Sequence, residues 1–239
     1  MEFTGERVVP GVTPERILAD HLARYRFAAR RVSRQRTLDV ACGTGYGSEM
    51  LRAAGAVWVV AVDLSIEAVM YAQARGRAER LHFLAADAVT LPLGAGAVDA
   101  VVSFETLEHV PDQPAFLREV ARVLRPGGRF LCSTPNRPVT TNSDDPAAVS
   151  TPFHSREFTE AEFVHLLGAH GFDVRLHVQR ALPSVCATRP FRRRLLPWLQ
   201  SVSGLDFDFR IFALGLGPGI LPCWPGLTGR YLIAECRRI

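Results

Sequence analysis

Residues 38–47 read Leu-Asp-Val-Ala-Cys-Gly-Thr-Gly-Tyr-Gly, a short apolar run that ends in a glycine-rich turn. Asp63 closes the next apolar run, residues 58–62. Gly43 and Gly45 allow the backbone to turn tightly and to approach a ligand closely, because they lack a Cβ atom. A carboxylate about 20 residues beyond such a turn can accept hydrogen bonds from ribose hydroxyls. Together the turn and Asp63 predict a nucleoside-binding site.

Strand and helix patterns alternate on both sides of this turn. Alternation of this kind predicts an α/β fold with a mostly parallel, Rossmann-like sheet and helices on both faces, in which ligands bind at the carboxyl ends of the strands. A helix-start signal at Thr13-Pro14-Glu15 places a helix before the sheet, running to about Arg34. Thr159 and Glu162 form a predicted capping box. The strands are expected near 37–41, 57–62, 81–85, 98–104 and 129–134, then over 172–178 and 231–236, and the helices near 46–54, 66–76 and 113–124.

Composition limits the classes of function. A chain of 239 residues, 48% of them hydrophobic, suits one domain over 1–239 with a helical segment at 1–36. All 28 basic residues are arginine, which excludes lysine Schiff bases and the P-loop lysine. A formal net charge of +4 is too small for a dedicated nucleic-acid binder, so no nucleic-acid partner is expected.

Cysteine spacing and hydropathy indicate where the protein acts. The 5 cysteines have no CxxC or ligand spacing, so neither a disulfide framework nor a zinc site is predicted. The acidic pair Asp144-Asp145 is expected to be solvated, and no metal site is predicted. With neither a signal-type N-terminus nor a membrane-length apolar run, the expected location is cytoplasmic, without membrane contact. A homodimer is one option for the oligomeric state.

The glycine spacing separates two kinds of nucleoside site. A dinucleotide G-x-G-x-x-G pattern that starts at Gly43 requires glycine at position 48, where the chain has Ser48. The observed Gly43-x-Gly45-x-Gly47, preceded by Asp39, instead resembles the first motif of the class I S-adenosylmethionine (SAM) dependent methyltransferases. Ala41 stands where that motif often has glycine.

The resemblance implies SAM as the cofactor and a seven-stranded sheet whose last strand runs antiparallel between strands five and six. Asp39 and the amides of 41–45 would hold the amino-acid end of SAM, Asp63 the ribose and Leu64 the adenine. Asp87 would accept a hydrogen bond from the adenine amino group. The cofactor residues that it implies are Tyr25, Asp39, Ala41, Gly43, Gly45, Asp63, Leu64, Asp87, Ala88, Phe104 and Glu105.

Catalytic residues are predicted beyond strand four. Methyl transfer from a sulfonium depends mainly on positioning, but an alcohol or ammonium acceptor must also lose a proton. Glu105 and His109 follow strand four, and His109 is the better base at neutral pH. His154, in Pro152-Phe-His-Ser-Arg-Glu-Phe158, is the substitute base. For each histidine a structural role is the alternative.

The predicted acceptor is a small molecule methylated on oxygen or nitrogen. The segment around His154 resembles one found in bacterial methyltransferases of sugars and natural products, which favours a sugar or sugar-bearing metabolite. An aromatic insertion at 181–229 is interpreted as a lid over the acceptor. The alternatives are carbon methylation of a polyketide or quinone ring and a catalytically inactive SAM-binding module.

Overall fold

The computed structural model describes residues 7–75, 78–141, 143, 145–184 and 217–239. The helices are α1 (Glu15–Ala29), α2 (Tyr46–Ala53), α3 (Ile66–Arg75), α4 (Gln113–Val123), α5 (Arg137–Thr140) and α6 (Glu160–Ala169). The strands are β1 (Arg36–Val40), β2 (Trp58–Asp63), β3 (Leu81–Ala85), β4 (Val98–Phe104), β5 (Leu124–Pro135), β6 (Phe172–Pro183), β7 (Ile220–Pro222) and β8 (Leu227–Arg238).

The strands form one mixed sheet in the order β3-β2-β1-β4-β5-β8-β6-β7. Neighbours among β1 to β5 pair in parallel, whereas β8 is antiparallel to both β5 and β6. The α/β, Rossmann-like fold predicted from the sequence is confirmed, and so is the antiparallel position of the last long strand. The chain order reverses at β1, with β2 on one side and β4 on the other, which is where ligands bind in such sheets.

The described residues contain eight strands rather than the predicted seven. The additional strand, β7, is three residues long and pairs antiparallel with His177, Val178 and Gln179 of β6. Its sequence lies in a segment rich in proline and glycine, where strand signals are weak. Pairing with the edge of β6, rather than local sequence preference, makes this segment a strand.

The ends of the predicted insertion also belong to the sheet. β6 continues to Pro183 and β8 begins at Leu227, and Ala181 and Leu182 pair with Gly229 and Thr228. The lid interpretation of 181–229 therefore does not apply at its two ends. Residues 185–216, where the lid was expected, lie outside the described residues, as does Asp144 of the acidic pair.

Both faces of the sheet are covered by apolar packing. Side chains of a strand alternate between faces, and in β4 Val101 joins one hydrophobic cluster while Ala100 and Val102 join the other. The first cluster takes in Phe116 of α4, and the second takes in Phe27 of α1. This two-sided core fixes the strands, so the loops at their carboxyl ends are held by a rigid support.

The predicted capping box is present at the start of α6. The Thr159 hydroxyl accepts a hydrogen bond from the Glu162 amide at 3.2 Å, and the Glu162 carboxylate accepts one from the Thr159 amide at 2.8 Å. The first helix is shorter than predicted and ends at Ala29 rather than near Arg34. No helix in the described ranges combines the length and apolar character that crossing a bilayer requires.

Candidate active site

The turn between β1 and α2 depends on left-handed backbone conformations. Gly43 has φ of +55° and Gly45 has φ of +82°, in a region that side-chain-bearing residues rarely adopt. At Gly45 a Cβ atom would also lie 2.7 Å from the Phe83 ring and 2.8 Å from Ala72. Gly45 therefore serves to pack the turn against β3 and α3, while Gly43 serves its backbone geometry.

Asp63 ties the end of β2 to this turn. One carboxylate oxygen accepts a hydrogen bond from the Gly43 amide at 2.8 Å, and the other accepts one from the Ser65 amide at 2.9 Å. The Arg7 guanidinium lies 3.9 Å from the same carboxylate. The side chain is 10% exposed, at the surface of a cavity. Its remaining lone pairs can accept hydrogen bonds from a ligand that enters this cavity.

Asp39 supports the turn from below. Its carboxylate accepts a hydrogen bond from the Ser48 hydroxyl at 2.6 Å and from the Tyr25 hydroxyl at 3.2 Å. Burial raises the pKa of Asp39 to about 7, although both hydroxyls act in the opposite direction. The side chain is fully buried, so in this structure Asp39 shapes the loop that would receive a ligand.

A cavity of about 670 Å³ opens at the carboxyl ends of β1, β2 and β4. This volume is typical of a small-molecule site. Ten of the predicted site residues line it: Tyr25, Ala41, Gly43, Asp63, Leu64, Asp87, Ala88, Phe104, Glu105 and His109. Among the described residues, Asp39, Gly45 and His154 are the predicted ones outside this lining.

The cavity wall near β2 and β3 offers one apolar surface and one acidic group. Leu64 is 74% exposed, so its side chain presents a surface on which a planar ring can pack. Asp87 is exposed, and its carboxylate accepts a hydrogen bond from the Val89 amide at 3.0 Å, which holds the loop after β3 in a turn. The pair suits a purine, which has two apolar faces and a polar edge.

Aromatic rings form the wall on the side of α1. The Tyr25 ring packs edge-to-face on Tyr46 and Phe104, with centroid distances of 5.5 and 5.3 Å. Gly47 makes this packing possible, because a Cβ atom there would lie 2.0 Å from the Tyr25 ring. Sequence reasoning placed Tyr25 at the site and missed Tyr46, Arg7 and Val8, which also line the cavity.

Glu105 turns into the cavity in a strained conformation. Its φ is +52°, and its carboxylate accepts a hydrogen bond from the Ser133 hydroxyl at 2.6 Å. The fully buried Arg24 lies 3.9 Å away and also donates to Gln179 at 2.8 Å. Strain of this kind is commonly found at functional sites, because the surrounding structure must hold it in place.

His109, which lines the cavity, contacts a second histidine outside the lining. His109 and His154 pack edge-to-face with centroids 4.8 Å apart, although His154 comes from the loop before α6. The His154 Nδ1 atom lies 2.7 Å from the carboxylate of buried Glu157. Burial acts to raise the pKa of Glu157, but hydrogen bonds from His154, Ser150 and Thr140 outweigh it and lower the pKa to about 2. Glu157 is therefore an anion that orients His154.

Glu108 was not predicted from the sequence. It is fully buried beside His109, and neither of its carboxylate oxygens has a donor in hydrogen-bonding geometry. Burial and the charge of Glu105 raise its pKa well above the ordinary value. The sequence Glu105-x-x-Glu108-His109 contained the signal, since three titratable groups follow the strand that leads into the site.

Comparison with known proteins supports the resemblance to SAM-dependent methyltransferases. A family described as a methyltransferase domain matches residues 38–132, which include the glycine turn, Asp63, Asp87 and β4. A probable SAM-dependent methyltransferase of Mycolicibacterium smegmatis is 39% identical over 175 residues, which cover 73% of this chain and 66% of that protein. The chain therefore contains a domain similar to those of the class I SAM-dependent methyltransferases. It spans slightly less than two thirds of the length of this mycobacterial relative.

Two further relatives show the range of this family. A ubiquinone biosynthesis O-methyltransferase of Xanthomonas oryzae is 41% identical over 111 residues, which cover 43% of this chain and 44% of that protein. A SAM-dependent methyltransferase structure from Mesorhizobium loti superposes with a TM-score of 0.61 over 92% of this chain and all of that chain, at 20% identity. The structural similarity supports the fold and leaves the acceptor open.

The described residues fit SAM, the cofactor of this family. The cavity is large enough for a nucleoside. The exposed Leu64 supplies a packing surface for adenine, and the Asp63 carboxylate at the cavity surface supplies an acceptor for ribose hydroxyls. Amides near Gly43 and the Tyr25 side of the cavity would receive the amino-acid end. When bound, SAM supplies a methyl group already activated by its sulfonium.

Proposed function

We propose that this methyltransferase moves the methyl group of SAM to an oxygen or nitrogen atom of a small molecule. In the reaction the bond between methyl carbon and sulfonium breaks, a bond from the acceptor atom to that carbon forms, and S-adenosylhomocysteine leaves. The observation that carries the proposal is a cavity whose lining includes Asp63 and Gly43 as well as Glu105 and His109. Ligand and catalytic groups would thus be held in one pocket.

The chain's own residues would contribute mainly by positioning. Asp63, Leu64 and Asp87 would fix the nucleoside, while Phe104 and Glu105 at the end of β4 would face the reacting methyl group. Holding the acceptor in line with the sulfonium removes much of the entropic barrier to displacement. Tyr25 and Phe104 pack against each other and leave little freedom for the wall between them.

The acceptor's proton would leave at the histidine end of the cavity. His109 lines the cavity and is the first candidate to receive the proton, with Glu105 beside it. His154 stands behind His109, with its Nδ1 atom held by Glu157, and is the substitute. A proton acceptor in such a position contributes about 10²–10⁴-fold in rate.

The acceptor class follows from the predicted lid and from the segment around His154, which favour a sugar or a sugar-bearing bacterial metabolite. Relatives named for ubiquinone biosynthesis and demethylmenaquinone methylation make a quinone ring the second candidate. Their similarity covers less than half of this chain, so it bears more on cofactor binding than on the acceptor. Natural-product biosynthesis is the corresponding cellular role.

Calorimetric titration tests the cofactor half of this proposal. The protein should bind SAM and S-adenosylhomocysteine and should not bind NAD. Asp63→Ala should weaken SAM binding by about 1.5–3 kcal/mol, because charge-assisted hydrogen bonds to ribose are lost. Asp173→Ala, an exposed carboxylate on β6, is the matched control and should bind as the wild type does.

Release of S-adenosylhomocysteine in the presence of candidate alcohols, amines and quinols tests the transfer half. Tight SAM binding without release from any acceptor class would favour the inactive binding module. Unchanged SAM affinity in a folded Asp63→Ala protein would remove Asp63 from the site.

A further inference from the structure

Three potential metal ligands converge where β4 leads into the cavity. Glu108 and His109 follow β4 in sequence, and His154 joins them from the loop that precedes α6. One ligand atom from each residue lies within 4.8 Å of the other two. This cluster joins segments separated by 45 residues, so only the fold brings it together.

Each of the two imidazoles is oriented by a hydrogen bond at its own Nδ1 atom. The His109 Nδ1 atom lies 3.0 Å from the carbonyl oxygen of Phe153, and the His154 Nδ1 atom lies 2.7 Å from the Glu157 carboxylate. An acceptor opposite Nδ1 requires that Nδ1 carry the proton, which leaves the lone pair of a neutral ring on Nε2. Histidines that bind metals in proteins are held in this way, by a carbonyl or a carboxylate behind the ring.

The burial of Glu108 is a second, independent observation that points to a cation at this cluster. Its side chain is fully buried, and neither carboxylate oxygen has a hydrogen-bond donor. The residue's own backbone amide and the Thr134 hydroxyl are close enough to act on the pKa of this carboxyl group, but neither is in hydrogen-bonding geometry. Buried polar groups in folded proteins almost always have a partner, and buried charges are paired or bind metals. A cation beside Glu108 would be such a partner.

We propose that Glu108, His109 and His154 bind a divalent transition-metal ion through one carboxylate oxygen and two imidazole nitrogens. This donor set suits Zn²⁺, Co²⁺, Mn²⁺ or Fe²⁺, whereas Mg²⁺ and Ca²⁺ prefer oxygen ligands alone. Tetrahedral ligands at about 2.0–2.1 Å from Zn²⁺ stand about 3.3 Å apart, so the cluster contracts on binding. Three protein ligands leave at least one coordination position open.

The open position has a chemical consequence, which rests on the proposed function. His109 lines the cavity, so the ion would stand at its wall and could bind the acceptor's oxygen. A bound divalent ion makes a hydroxyl more acidic and repels a protonated amine. The site therefore selects a hydroxyl acceptor. With the ion bound, His109 and His154 are ligands rather than proton acceptors, and the hydroxyl proton passes to the Glu105 carboxylate, which lines the same cavity.

Metal titration of the full chain tests this assignment. After removal of metals with a chelator, Co²⁺ binding is followed by visible absorption and Zn²⁺ binding by competition with a chromophoric chelator. The wild type should bind one equivalent of either ion. Glu108→Gln and His154→Ala should each weaken binding by about 10–100-fold or more. His165→Ala, an exposed histidine on α6, is the matched control and should bind as the wild type does.

SAM titration of the same samples separates the two proposals. Stoichiometric metal binding without SAM binding would keep the metal site and reject the methyltransferase function. SAM binding by a protein that takes up no stoichiometric Co²⁺ or Zn²⁺ would reject the metal site and leave Glu108 as a neutral buried acid. Metal binding that His154→Ala and Glu108→Gln both retain would place the ion elsewhere and overturn the assignment.

Discussion

Ala41 shows at the scale of one residue how this chain departs from the methyltransferase motif that it resembles. Its φ is +60°, in the left-handed region that explains why glycine is frequent at this position. An alanine held there costs roughly 1–2 kcal/mol in backbone energy. Ala41 is exposed, so its methyl group contributes little packing in return.

Ala41→Gly should stabilise the protein by up to about 1 kcal/mol. The relief of backbone strain exceeds the roughly 0.4–1 kcal/mol that glycine adds to the entropy of the unfolded chain. Ala74→Gly, at an exposed helical position in α3, should instead destabilise by about 1 kcal/mol. Urea unfolding measures both. Equal losses in the two variants would mean that the backbone at position 41 is not strained.

Single residues with chemical signals were the easiest to predict. Asp63 and Gly43 line the cavity as expected, because their spacing in sequence is set by one strand, one turn and one helix. Glu108 was missed because what distinguishes it, burial without a donor in hydrogen-bonding geometry, depends on segments far apart in the chain. Glu157 was noted beside His154, but its burial among four donors was not predictable for the same reason. Charge alone in a sequence does not reveal burial.

At the scale of elements, local signals fixed the starts of helices and pairing fixed the strands. The Thr159 capping box places the start of α6 because its hydrogen bonds span three residues. β6 and β8 extend well beyond their apolar runs because each pairs with the other over eleven positions. β7 is a strand because it pairs with β6 at the edge of the sheet. Long-range pairing is therefore the part of the fold that sequence patterns did not provide.

The contact between α1 and α2 predicts that Gly47→Ala changes the free energy of unfolding in opposite directions with and without the Tyr25 ring. Gly47→Ala should destabilise the protein by about 1–3 kcal/mol, because the added methyl group would overlap the Tyr25 ring. In a Tyr25→Ala background the same change should stabilise by up to about 1 kcal/mol, since alanine is the better helix former. Urea unfolding of the four proteins gives the coupling energy.

Gly168→Ala in α6 is the control for this cycle. Nothing lies within 4 Å of a Cβ atom at Gly168, so alanine should stabilise there with Tyr25 intact. If Gly47→Ala had the same effect with and without Tyr25, the contact between the helix and the ring would not limit the packing of the glycine turn.

At the scale of the whole molecule, the first helix is attached to the C-terminal half of the sheet. Arg180 of β6 donates to both carboxylate oxygens of Asp20 on α1, at 2.8 and 3.0 Å. Gln179 donates to the Asp20 carbonyl oxygen and accepts from Arg24. All four side chains are buried. This network holds α1, and with it Tyr25, against the cavity.

Substitutions of Asp20 and Arg180 should each lower the free energy of unfolding strongly, and their effects should not add. Burial raises the pKa of Asp20 despite the opposing charges of Arg180 and Arg24, so ionisation of this group depends on its partners. Asp20→Leu and Arg180→Met should each cost about 3–5 kcal/mol, because each leaves one buried charge unpaired. The double variant should cost much less than the sum, since no uncompensated charge of this pair remains. Urea unfolding supplies the free energies.

The exposed pair Glu79 and Arg80 provides the comparison, with side chains 87% and 61% exposed. Its coupling should be close to zero, because solvent screens both charges. SAM affinity should fall in the two single variants at the α1–β6 contact, as α1 loosens and Tyr25 loses its position, and should recover in part in the double variant. Additive losses at Asp20 and Arg180 would show that the two charges act independently and that the cavity does not depend on how α1 is attached.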